Sequence, residues 1–111
     1  CVDDPAAQQY NQILIEPARV SWRSAEHMRR DDDLYELALV VRHNTDPTTP
    51  GHGSCIFVHV WQNANTPVTG CTALAKDNLQ TLLTWLKPNA AVLVALPGSE
   101  YTALSRDWGL P

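Results

Sequence analysis

Charge is scarce in this chain of 111 residues: Asp, Glu, Lys and Arg make up 18%, against about 25% in an average globular sequence, while hydrophobic residues reach 44%. That balance excludes intrinsic disorder, which needs the opposite composition. Basic runs are missing as well. Eight Lys and Arg stand against twelve Asp and Glu, a net charge of -4, and nothing longer than Arg29-Arg30 offers the positive footprint a phosphate backbone demands. No nucleic-acid partner is expected. The longest apolar runs, Leu37 to Val41 and Ala90 to Leu96, fall far short of the ~18 residues of a membrane span, so neither a transmembrane segment nor a signal sequence is expected. There is no internal repeat and no low-complexity tract, and the length suits one domain over residues 1–111 with one core.

The chain opens on Cys1 rather than methionine, which suggests a processed product or a piece of something longer. Its three cysteines, Cys1, Cys55 and Cys71, are an odd number, so one pairing in an oxidising compartment leaves one thiol over.

Local patterns divide the rest. Cys1 to Pro5 reads as a loop, and Asn11 to Ile15 as a short edge strand stopped by Pro17. Ser24 to Arg30 has the length of about two helical turns. Leu37 to Val41 reads as a buried strand, followed by a Pro- and Thr-rich loop. In Cys55 to Trp61, strand alternation puts Ile56, Val58 and Val60 on an aliphatic core face and Cys55, Phe57, His59 and Trp61 on the other. Gln62 to Pro67 is a polar loop that brings Val68 to Cys71 back near the end of that strand. Leu79, Leu82, Leu83 and Leu86 recur at i, i+3, i+4 and i+7, which predicts an amphipathic helix from Lys76 to Lys87 ended by Pro88. Ala90 to Leu96 reads as another buried strand and Tyr101 to Trp108 as a short terminal helix.

Gly70-Cys71 has the form of a nucleophile: glycine permits a tight backbone turn and close substrate approach to adjacent N–H groups. His59 is the natural base, because an imidazole with a pKa near ~6.5 accepts the thiol proton at neutral pH. The competing reading is a buried structural cysteine. Zinc is a further alternative, since His52, Cys55, His59 and Cys71 supply nitrogen and sulfur ligands. Spacing opposes it: along a strand Cys55 and His59 lie about 13 Å apart. Phe57 and Trp61 are expected to pack, Trp85 and Trp108 to serve as core or helix-docking residues, and His43, Asn44 and His52 to sit on solvated loops. Asp31-Asp32-Asp33 lacks the regular oxygen spacing of a calcium loop and reads as an exposed acidic turn.

Three segments in order, Gly53-Ser54-Cys55-Ile56-Phe57-Val58-His59-Val60-Trp61, Pro67-Val68-Thr69-Gly70-Cys71-Thr72-Ala73-Leu74 and Leu82-Leu83-Thr84-Trp85-Leu86, resemble the L,D-transpeptidase catalytic domain (YkuD-type, ErfK/YbiS-like). The match is to a branch with Gly-Ser-x-Ile-Phe-x-His and Thr-Gly-Cys-x-Ala signatures. Cys1 to Pro5 with Tyr10-Asn11, Ser21-Trp22, Arg29 to Asp32, His43-Asn44 and Trp108 to Pro111 are similar to that branch too. Where the broader family carries Ser-His-Gly-Cys and a nearby arginine, this chain has Val68-Thr69-Gly70-Cys71-Thr72-Ala73-Leu74.

The resemblance implies a mixed α+β, strand-dominated fold of YkuD-like β-sandwich type, here the C-terminal larger part of the domain without its first strands. It implies that Cys71 attacks a peptidoglycan stem peptide, that His59 is the general base, and that a thioester passes to an amine or to water. Backbone N–H groups at Gly70 and Cys71, with the Thr69 hydroxyl, would hold the oxyanion. It further implies a site outside the cytoplasmic membrane, acylation by carbapenem-type inhibitors, and no metal or organic cofactor. Within that picture Cys1 and Cys55 are candidates for a disulfide, with two buried free thiols or a lipidated Cys1 as alternatives. A non-catalytic wall-binding module and a zinc-stabilised interaction domain are the rival functions.

Overall fold

Strand-forming side chains are clustered in Ala38–Val40 (β1), Phe57–Val60 (β2) and Thr72–Leu74 (β3), and helix formers in Lys76–Trp85 (α1) and Gly98–Trp108 (α2). A computed structural model describes residues 1–87 and 91–111 and builds these elements into a small α+β protein. The sheet has three strands in the order β1-β2-β3. β1 runs antiparallel to β2, with Ala38 opposite His59 and Val40 opposite Phe57. β3 runs parallel to β2, with Val58 beside Thr72 and His59 beside Ala73. The strands are shorter than expected, and helix outweighs strand among the described residues, so the fold is not strand-dominated.

The core forms on both sides of β2. Phe57 is 0% exposed and Leu79 of α1 is equally sealed, with Val2, Tyr10, Cys55 and Val58 buried around them. The expected division of β2 into a core face and an outer face is corrected here. Phe57 and His59 are buried as deeply as Val58, while Ile56 and Val60 are only half-buried. Tyr35 is the reason: its ring meets Phe57 edge-on at 5.7 Å between centroids and stacks on His59 at 4.9 Å and 27°.

The N-terminal third contains no regular element, contrary to the expected strand and helix. Ala25 pairs instead in an isolated antiparallel bridge with Val2, and the Glu26 N–H donates to the Cys1 carbonyl at 2.7 Å. The Glu26 carbonyl, which a helix over Ser24 to Arg30 would offer to the Arg30 N–H, instead accepts the Cys1 ammonium at 2.7 Å. Asn11 adopts φ 62, a left-handed conformation that breaks extended structure at the start of Asn11 to Ile15. Arg23 closes this region onto Asp4: the buried carboxylate accepts the Arg23 and Ala6 backbone N–H groups at 2.9 and 3.0 Å and two guanidinium N–H groups at 3.2 Å.

Cys1 and Cys55 are joined as a disulfide, Cα–Cα 5.8 Å, and Cys71 is free. The bridge consumes the sulfurs that the free-thiol, lipidated-Cys1 and Cys55-zinc alternatives each required. Near the other end, the Lys76–Trp85 helix stops short of Lys87, and its expected terminator Pro88 lies outside the described residues, as does Ala90. Residues 91–96 form no strand, and Val92 is 88% exposed, so the expected buried strand is not there. Trp85 is 71% exposed and Trp108 largely so, which corrects the core role assigned to both. No helix among the described residues is long and apolar enough to cross a membrane.

Two outcomes follow from these ties. Because the bridge spans 54 positions, Cys55→Ser should cost about 4 kcal/mol by loop-closure entropy, read as a fall in urea midpoint that a reducing agent reproduces in the unaltered protein. Hydrogen bonds from the Arg23 side chain, then from the Arg23 and Ala6 backbone, hold the Asp4 carboxyl well below the usual carboxylate range. A lowered folded pKa stabilises above the unfolded value, so this contribution is complete above about pH 5 and is lost as the pH falls through the acid range. Asp4→Asn should therefore flatten the acid limb of a stability-against-pH curve, and an unchanged limb would contradict this assignment.

Candidate functional site

Parallel pairing decides which side chains share a face. His59 lies beside Ala73, and Cys71, two residues before Ala73, comes level with Phe57. Alternation then puts Phe57 and His59 of β2 on the same face as Cys71 and Ala73. The expected return of the chain to the end of the His59 strand is corrected: the loop from Gln62 to Gly70 carries the backbone to the start of β2. His59 and Cys71 are diagonal neighbours, with β-carbons about 8 Å apart by strand spacing and rise, a gap that an imidazole and a thiol can span between them.

His59 is 6% exposed, and its Nδ1 lies 2.8 Å from the Val60 carbonyl oxygen. A carbonyl only accepts, so Nδ1 carries the proton and donates. In the neutral ring Nε2 then carries the lone pair, the form a general base requires. Tyr35 fixes the plane of the ring by stacking, and the Tyr35 hydroxyl donates to Glu26 Oε1 at 3.1 Å. Burial, reinforced by the Glu26 charge and hydrogen bond, raises the Tyr35 phenol well above its ordinary pKa.

Cys71 is half-buried at the mouth of β3. Its Sγ donates toward the Cys55 carbonyl at 3.7 Å, while the Phe57 backbone N–H points at the sulfur. Burial raises the thiol pKa most, the Phe57 N–H pulls it down, and the Glu26 charge pushes it further up. The resting sulfur is therefore a protonated thiol rather than half of an ion pair. Gly70, immediately before it, takes φ +78, and a β-carbon there would sit 3.4 Å from Ile56 Cδ1. An L-residue would strain this turn, so the glycine is needed for the backbone that presents Cys71. Thr69 and Gly70 are exposed.

Other expected residues fall elsewhere. His52 is exposed on the loop before Cys55, where its carbonyl oxygen lies 2.8 Å from His43 Nε2. Asn44 ties that loop together through the Thr49 and Gly53 carbonyls, each at 2.8 Å, so it is a scaffold rather than a solvated bystander. Trp61 lines a cavity of about 440 Å³ with Arg30, Asp33, Glu36 and Lys76. Asp31 to Asp33 are exposed, with Asp32 held by Arg30. No group of three or more His, Cys, Asp or Glu among the described residues is placed to hold a metal ion. Sequence patterns missed Tyr35 and Glu26: Glu26 lies in the expected Ser24 to Arg30 helix and Tyr35 in no expected element, and only the stack on His59 and the hydrogen bond between the two reveal them.

The raised thiol pKa has a direct readout. The rate at which iodoacetamide alkylates Cys71 should keep climbing above pH 8.5, the ordinary thiol value of roughly that figure, and Glu26→Gln should move the midpoint down. A plateau already reached at neutral pH would show that the sulfur ionises against His59 instead.

No protein-family model, curated protein or solved structure matches the chain.

Proposed function

We propose that this protein is a cysteine-dependent acyltransferase of the L,D-transpeptidase kind, acting on peptidoglycan stem peptides outside the cytoplasmic membrane. The observation that carries this reading is the common face of Cys71 and His59, with Nδ1 of the imidazole already committed to the Val60 carbonyl. The finer fold assignment, a YkuD-like sheet of β-sandwich type, belongs to the same proposal. It is supported by the order of the two parallel strands, one carrying the histidine and the next opening on the Gly-Cys turn.

The chemistry is two-step acyl transfer. Cys71 Sγ attacks the amide carbonyl before the terminal D-alanine, and its proton passes to His59 Nε2. The tetrahedral oxyanion is held by backbone N–H groups at Gly70 and Cys71, each such donor being worth about 3 kcal/mol, with the Thr69 hydroxyl beside them. His59 returns the proton to the departing D-alanine amine as the C–N bond breaks and the thioester remains. An acceptor amine, or water, then attacks the thioester, gives its proton to His59, and releases Cys71 as the thiol. Each step needs only these side chains and the substrate.

A second reading, a wall-binding module without turnover, is favoured by the protonated resting thiol. Intact mass after mixing with a carbapenem separates them. Acyl transfer predicts one adduct, lost in Cys71→Ala and formed about 100-fold or more slowly in His59→Ala. A sample folded by circular dichroism that gains no adduct yet binds stem peptide would establish the binding module.

A further inference from the structure

The transferase reading leaves one cluster unused. Tyr35 has three partners at once: its ring stacks on His59 at 4.9 Å, meets Phe57 edge-on at 5.7 Å, and its hydroxyl donates to Glu26 at 3.1 Å. Glu26 is itself fixed, since its backbone N–H donates to the Cys1 carbonyl at 2.7 Å beside the Val2–Ala25 bridge. The disulfide from Cys1 to Cys55 then ties this arm to the start of the strand that carries His59.

We propose that Glu26 and Tyr35 are positioning residues for the base: Glu26 anchors the Tyr35 hydroxyl, and the Tyr35 ring holds His59 in the Nδ1–H tautomer with Nε2 free. The proposal rests on the reading of His59 as the base of an acyl transfer.

Geometry gives it content. An imidazole with one hydrogen bond to a neighbouring backbone carbonyl still turns about its side-chain bonds, and a free histidine prefers the proton on Nε2. A flat ring stacked at 27° removes that rotation. The phenol cannot drift, because its hydroxyl is a donor to a carboxylate, a hydrogen bond strengthened by the charge. Burial and the Glu26 contact both keep the phenol protonated, so the anchor survives across the working pH range. The charged and titratable groups acting on this cluster are Glu26, Arg30 and Cys71 around Tyr35, and Glu26 at Cys71. Tyr35 touches neither thiol nor substrate in this scheme and acts through His59 alone.

Nitrogen-15 NMR of the histidine side chains in the full oxidised chain reports the tautomer whether or not the protein turns over substrate. The unaltered protein should show His59 with Nδ1 protonated. Tyr35→Leu removes the ring and should shift the population toward Nε2–H while slowing carbapenem acylation by about tenfold or more. Tyr35→Phe keeps the stack and loses the anchor, and Glu26→Gln keeps an acceptor and loses the charge. Glu26→Gln should retain the tautomer, with acylation within about threefold of the starting rate, whereas Tyr35→Phe should broaden the His59 resonances as Glu26→Ala does and slow acylation less than Tyr35→Leu. If Tyr35→Leu unfolds, Glu26→Ala takes its place, with the phenol still present but unanchored, and broadening of the His59 resonances is expected. Unchanged tautomer and unchanged line width in folded Tyr35→Leu or Glu26→Ala would overturn the proposal. Absence of an adduct in the unaltered protein would instead defeat the transferase reading, and the tautomer measurement would still decide what Tyr35 does.

Discussion

Cys55 is the residue through which the candidate site is built. Its sulfur is bonded to Cys1, its N–H donates to Asn11 Oδ1 at 2.8 Å, and its carbonyl receives the Cys71 thiol at 3.7 Å. At φ 55 it turns the chain sharply into β2, a conformation that a non-glycine residue keeps only when its surroundings hold it there. One residue thus ties the N-terminal arm, the loop after β1, the central strand and the strand that Cys71 precedes into one body. In a fold with three short strands, that covalent and hydrogen-bonded junction does the work that a larger sheet does elsewhere.

Part of the candidate site's local structure was legible in the sequence because it sits in dense local patterns. The aliphatic alternation around His59 marked β2, the leucine spacing marked α1, and Gly70 before Cys71 marked a tight turn, which its φ of +78 bears out. What failed depended on distant partners. Ser24 to Arg30 has helical composition, yet the Cys1 and Val2 backbone captures Ala25 and Glu26 first. Residues 91–96 have the composition of a core strand, yet among the described residues they pair with no strand of the sheet. The face assignment within β2 failed for the same reason: alternation identifies two faces, and only the ring of Tyr35, brought from outside the strand, decides that both are covered.

Burial also sets the state in which the sulfur rests. A thiol beside a disulfide is a hazard in an oxidising compartment, because a thiolate attacks disulfide sulfur and reshuffles the pairing. Here the sulfur is half-buried, its proton is directed at the Cys55 carbonyl, and the Glu26 charge acts against ionisation. These same contacts disfavour the thiolate, so in the proposed acyl transfer the proton would leave during the reaction rather than before it. A neutral imidazole with an open Nε2 is suited to that order of events: it accepts the proton as the sulfur attacks and does not pay for a standing buried ion pair. Under the proposed chemistry, one arrangement would both spare the pairing at Cys55 and leave Cys71 able to react: a sulfur kept from ionising at rest, beside an imidazole held by the Tyr35 stack.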